Sequence, residues 1–154
     1  MSDLVGQEPI YNSVYRHGVD LKRRIQVPAK WRVTDQEVDF TLIRWKNDDQ
    51  PHPCILVLPP TTSKILMETF KSMPFANPEA ERLRRSLGRK ANQAVMDQGG
   101  RICIPEDMAK AVGIKDEVVM AGLWDRFELW NPEYYDEVSA ADEASEPKAM
   151  KLIS

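Results

Sequence analysis

One phrase occurs twice in this chain and limits the folds open to it more than any other feature. Asp97-Gln98-Gly99-Gly100-Arg101-Ile102-Cys103-Ile104-Pro105 reads as an acid, a glycine turn, an arginine, a short apolar strand and a proline stop. Asp20-Leu21-Lys22-Arg23-Arg24-Ile25-Gln26-Val27-Pro28 repeats it 77 positions earlier, with Arg24 matching Arg101, Ile25 matching Ile102 and Pro28 matching Pro105. Self-similarity at a fixed offset marks a repeated supersecondary unit. In 154 residues, two such units have material for one good-sized core or two small ones that share a core.

The residues around each copy extend the pattern. After a loose lead-in over 1 to 10, Tyr11 to Val19 reads as a strand, Asp20 to Arg23 as a turn and Ile25 to Val27 as a second short strand. Pro28 cannot donate to a ladder and suits the start of a helical turn over Ala29 to Arg32. Asp39 to Lys46 and Cys54 to Leu58 are strands joined by a loop rich in Asp and Pro, and Pro59-Pro60 closes them. The second copy predicts strands over Ala94 to Met96, Ile102 to Ile104, Glu117 to Leu123 and Phe127 to Trp130, with a helix from Pro105 that Gly113 stops. Between the copies lie two helices. Thr62 to Met73 sets Leu66, Phe70 and Met73 on one face, and the second, capped by Asn77-Pro78, carries Ala80, Leu83, Leu87 and Ala91 as its buried stripe. Asn131-Pro132 caps a last helix through Val138. The stretch 139–154 is small and acidic and reads as a disordered tail.

Charge matters here by its distribution. The total is −3, yet Arg16, Lys22, Arg23, Arg24, Lys30 and Arg32 face one acid, Asp20, and Arg82, Arg84, Arg85, Arg89 and Lys90 lie in a run with none. The acids gather late, at Glu133, Asp136, Glu137, Asp142, Glu143 and Glu146. Such asymmetry speaks of an anionic partner despite the acidic total. No apolar run approaches the ~20 residues of a membrane span, and the N-terminus lacks the pattern of a secretory signal. Cys54 and Cys103 sit in apolar runs and are expected as buried thiols in a reducing compartment. With two histidines and no zinc-type cysteine spacing, no metal or other cofactor is expected.

The doubled Asp-x-x-Gly-Arg phrase, the Gly113-Ile114 and Glu117-Val118-Val119 steps, the Phe127-Glu128-Leu129-Trp130 strand and the Asn77-Pro78 helix start resemble the MraZ family. The resemblance spans roughly Tyr11 to Val138. It implies an α+β fold of two tandem AbrB-like swapped-hairpin halves in one pseudo-twofold, β-barrel-like domain. The halves would be 11–60 and 92–138, with linking helices over 61–91. It also implies a cytoplasmic, nucleoid-associated transcriptional regulator. Such a protein assembles into a homo-oligomeric ring and binds double-stranded DNA at short direct repeats upstream of the division and cell-wall gene cluster. The motif arginines are the family's DNA contacts, which carries over to Arg24 and Arg101. Where the family has glycine the first copy has Arg23, and a left-handed backbone there costs arginine roughly 1 kcal/mol. The first turn is then either differently shaped or supplied with one more phosphate contact.

The chemistry of the loops can be argued independently. A two-stranded ribbon joined by a short turn is narrow enough to enter a major groove, and an arginine at its tip can fork two hydrogen bonds to guanine, which makes each copy an arginine-tipped loop. Arg24, Arg101, Lys22, Arg23 and Arg16 are the candidate DNA-binding residues, and His17 flanks them. Asp20, Asp97, Gly99 and Gly100 shape the loops. The competing reading makes Arg24 and Arg101 internal clips on Asp20 and Asp97. Arg82, Arg85 and Arg89 read first as a solvated helix face, with Glu79 and Glu81 at pairing distance, and second as a backbone or subunit contact. Trp45, Trp124, Trp130 and Tyr134 are expected in packing. A ring-forming interaction module is the alternative function. No nucleophile with its base, phosphate loop or spaced carboxylate pair points to an enzyme or to a small-molecule substrate.

Overall fold

The computed structural model describes residues 8–32 and 37–154, so the predicted lead-in lies outside the described residues as far as residue 7. The strands are β1 (Val14–Gly18), β2 (Arg24–Gln26), β3 (Asp39–Trp45), β4 (Cys54–Leu58), β5 (Ala91–Val95), β6 (Arg101–Cys103), β7 (Glu117–Gly122) and β8 (Phe127–Trp130). Four α-helices accompany them among the described residues: α1 (Pro60–Ser72), α2 (Pro78–Lys90), α3 (Glu106–Ala111) and α4 (Pro132–Ala149). The fold is α+β.

Six strands form one antiparallel sheet in the order β1-β7-β8-β4-β3-β5. Written by copy, that order is a palindrome. At each edge the first strand of one copy lies on the third strand of the other, Arg16 opposite Val119 and Gln93 opposite Thr41. In the middle the two fourth strands meet, Leu56 opposite Glu128. The short strands β2 and β6 pair only with each other, Ile25 opposite Ile102. Neither copy therefore holds a complete set of partners within itself. The expected barrel-like closure is not formed among the described residues: the sheet keeps β1 and β5 as open edges, and the β2–β6 ribbon is separate.

The sheet is covered on both faces, which is why β4 is buried at all five positions instead of alternating. On one face Phe40, Leu42, Ile55, Val57, Met120, Phe127 and Leu129 pack with Ile25 and Ile102 of the ribbon and Met108 of α3. Trp31, from a 3-10 turn over Ala29–Trp31, fills the centre, its ring 4.8 Å from Phe127 and 5.2 Å from Tyr15. On the other face Ile43, Leu56, Leu58, Val119 and Trp130 meet Leu66 of α1, Leu87 of α2 and Val138 of α4. Asn77 caps α2 by accepting from the Glu79 and Ala80 amides, and Asn131 caps α4 through the Tyr134 amide.

Several expectations change. Cys54 is buried but Cys103 is exposed, because on the ribbon Ile102 points inward and its neighbour must point out. Leu83 is 40% exposed, since α2 stands off the sheet and only part of its stripe touches it. Trp124 sits at the β7–β8 turn and is exposed. The stretch expected as a disordered tail is helical: α4 runs on through residues 139–149, an already capped helix extended by alanine and glutamate and continuing past Pro147.

Candidate nucleic-acid interface

Each copy of the repeated phrase folds into the same turn. In the first, the Asp20 carboxylate accepts from the Lys22 amide at 2.9 Å and the Arg24 amide at 2.8 Å, and the Arg23 amide donates to the Asp20 carbonyl. In the second, the Asp97 carboxylate accepts from the Arg101 amide at 2.9 Å, and Gly100 donates to the Asp97 carbonyl. Asp20 and Asp97 gather otherwise unsatisfied N–H groups, so they shape the loops. Both carboxyls are held below the ordinary 3.8. For Asp20 the Arg24 amide hydrogen bond is the main cause; for Asp97 it is the Arg101 amide, joined by the Arg101 charge.

The critical backbone position is left-handed in both turns, with φ of 61° at Arg23 and 81° at Gly100. The first turn is therefore not reshaped by its arginine. Arg23 instead sends Nε to the Ile104 carbonyl of the other copy at 3.1 Å. At Gly100 the matching space is occupied by Arg32: a Cβ built on Gly100 would lie 2.7 Å from its Cζ and 2.9 Å from its Cδ. Each turn thus has a guanidinium packed on it, one its own and one lent by the opposite copy. Arg32 Nε is buried with no hydrogen-bond partner among the described residues. Sequence reasoning counted Arg32 as part of a basic run and had no signal for this contact, which depends on the other copy's turn.

Between the turns, the ribbon turns Ile25 and Ile102 into the core and leaves Arg24, Gln26, Arg101 and Cys103 on the opposite face. Arg24 faces Cys103 and Arg101 faces Gln26, so the two arginines lie diagonally, about 8 Å apart at Cα by strand spacing. Gln26 Nε2 donates to the Gly99 carbonyl at 2.8 Å, and at the related position Cys103 Sγ lies 3.3 Å from the Lys22 carbonyl. Each half holds the other's turn in place.

Arg24 Nε meets Asp20 at 2.7 Å and Arg101 Nε meets Asp97 at 3.1 Å, with both arginine side chains about a third exposed, at 32% and 39%. The Asp–Arg clips of the competing reading are present. They use Nε alone, and no hydrogen bond to either terminal amino group occurs among the described residues. The aspartates fix where the forks stand without consuming them. Lys22 is exposed at the first tip, beside the fully exposed Leu21. Arg16 does not join this group. It projects from β1 away from Tyr15's ribbon-side packing, and its Nη2 reaches Asp136 of α4 at 2.6 Å. Arg82 and Arg85 pair with Glu79 and Glu81 on α2. Among the described residues no cluster of His, Cys, Asp and Glu could hold a metal, and no helix is long and apolar enough to cross a membrane.

A fold with two copies of one turn on a shared ribbon, each turn an Asp-clipped arginine, defines a duplicated-turn protein. A family model described as "MraZ protein, putative antitoxin-like" matches residues 87–152. A "Transcriptional regulator MraZ" of Clostridium tetani is 33% identical over 138 residues, covering 90% of this chain and 93% of that protein. Proteins of the same name from Clostridium acetobutylicum (31% over 123 residues, 80% and 82%) and Ureaplasma urealyticum serovar 10 (27% over 134 residues, 87% and 90%) are also similar. The chain belongs to the MraZ family.

Proposed function

We propose that this chain is a DNA-binding transcriptional regulator that reads duplex DNA with the outer face of the β2–β6 ribbon and the two turns beside it. The carrying observation is the pair of arginines whose Nε atoms are clipped by Asp20 and Asp97 on side chains that stay about a third exposed. A fork held this way suits the O6 and N7 of guanine, and a two-stranded ribbon fits the major groove. Lys22 and Arg23 supply phosphate contacts, Arg32 adds charge beside the second turn, and Leu21 offers an apolar tip for a thymine methyl. Arg16, tied to α4, stands outside the reading face. In this reading 11–60 and 92–138 are AbrB-like swapped-hairpin halves joined by 61–91, which accords with each first strand pairing with the other copy's third.

Because the binding face carries the same group twice, repeated sites and repeated subunits strengthen each other. The targets in this reading are short direct repeats upstream of the division and cell-wall cluster, contacted by a ring of subunits on the nucleoid. The names of the relatives support the regulator, and the twofold ribbon supports repeated recognition. The test is binding of the purified protein to the duplex upstream of its own coding region, with scrambled and single-repeat duplexes beside it. Expected are preference for the repeats and a steep fall of affinity with salt. Equal binding to all duplexes, or to none, would favour an interaction module instead.

A further inference from the structure

The face of the sheet opposite the ribbon carries two features without a counterpart in their own chain. The first is a groove of about 570 Å³ between α1, α2 and the β3–β5 edge, lined by Ile43, Leu66, Met67 and Phe70, with Lys64 and Arg84 among its polar residues. Its one acid, Asp39, is already engaged by the Gln93 amide at 3.1 Å. The second is the distal part of α4. Val138 is the last residue of that helix buried on the sheet, and every residue from Ala140 to Ser154 is exposed. The helix runs roughly 16 Å beyond Val138. Its acids, Asp142, Glu143 and Glu146, precede Lys148 and Lys151, and it ends in Met150, Leu152 and Ile153, which are 52%, 89% and 82% exposed.

Beyond Asp142, which borders Lys46 and Trp130 of its own chain, the extension is exposed and has little tertiary support, and a cluster of large apolar side chains at its end is an interaction surface in search of a cover. The groove has the complementary properties: an apolar floor and cations beside it, on a helix pair further enriched by Arg89 and Lys90. None of residues 139–154 lines the groove of its own chain. We propose that the groove receives the arm 140–154 of a second copy of this chain, with Glu143 and Glu146 toward Lys64 and Arg84 and the Met150-Leu152-Ile153 cluster on Leu66, Met67 and Phe70, while Asp142 stays beside Lys46 and Trp130 of its own chain. Arm and groove are different surfaces, so the contact is head-to-tail. Such a contact repeats from subunit to subunit and closes into a ring where the rotation permits. This inference rests on the self-association in the proposed function and names the surfaces that carry it.

Light scattering on the full chain tests it. The triple variant Met150→Asp/Leu152→Asp/Ile153→Asp is expected to fall from the parent's assembled mass to that of a single chain, with unchanged circular dichroism because all three positions are exposed. Met67→Glu, on the groove, is expected to do the same. For contact itself, Met67→Cys and Leu152→Cys are placed on separate chains, each also carrying Cys103→Ser, and mixed under mild oxidation. A disulfide-linked pair containing one of each is expected. Retention of the parent's mass by the triple variant, a parent that is monomeric at high concentration, or no mixed pair overturns the inference. Those results leave DNA recognition untouched, whereas loss of repeat preference in an assembled parent overturns the DNA reading and not the arm contact.

Discussion

The turn at 20–24 and the turn at 97–101 share a backbone and differ in what decorates it. Both gather their amides on an aspartate, and both pass through a left-handed residue. In the second, glycine meets that demand without strain and vacates space that Arg32 fills. In the first, Arg23 bears a cost of about 1–2 kcal/mol for the left-handed region, offset in part by its hydrogen bond to Ile104 and by charge placed at the turn. The aspartate, with its several hydrogen bonds, dictates the turn; glycine only makes it cheap.

That comparison can be broken, beginning with the largest effects. Replacing Arg24 or Arg101 by alanine should each weaken repeat-DNA binding by about 1–3 kcal/mol in a titration at fixed salt, and by similar amounts if the two turns are equivalent. A silent Arg24→Ala beside a damaging Arg101→Ala would assign recognition to the second turn alone. Next, Gly100→Ala should lower unfolding stability by about 1–2 kcal/mol in urea, as a left-handed alanine displaces Arg32. Arg23→Gly should change stability by less than about 1 kcal/mol, since backbone relief offsets the lost hydrogen bond. Lys22→Ala should reduce the slope of log affinity against log salt by about 1 and leave sequence preference alone.

Acid gives the smallest effect and treats both turns alike. The folded carboxyls of Asp20 and Asp97 titrate below the unfolded value of about 3.9, so their contribution is present above that pH and is lost as pH falls through the depressed folded values. Amide hydrogen exchange at Arg24 and Arg101 should therefore accelerate together only below about pH 4. Asp97→Asn should abolish the transition at Arg101 and spare Arg24.

The repeat made the turns, the short strands and the capped helix starts readable, because those depend on residues close in sequence: Asp20 and Asp97, Pro28 and Pro105, Asn77 and Asn131. What escaped was exchange between copies. Nothing local to Tyr15 says that its strand will pair across the sheet with β7, and nothing near Arg32 says that its side chain will rest on Gly100. The ribbon was legible as a shape but not as one strand from each half. At 139–149 acidity reads as disorder, yet the Asn131-capped helix runs on through it and past Pro147. Arg16 joined the basic run in one dimension and left it in three, since strand alternation turned it toward Asp136.

The palindromic sheet has a consequence for synthesis. The first strand is made well before its ladder partner, Glu117–Gly122. Through that interval β1 is a bare edge, and β3 is one until β5 is made, an arrangement open to pairing with a neighbour on the same message. A nascent chain of this protein cannot finish its first half until it has nearly finished its second.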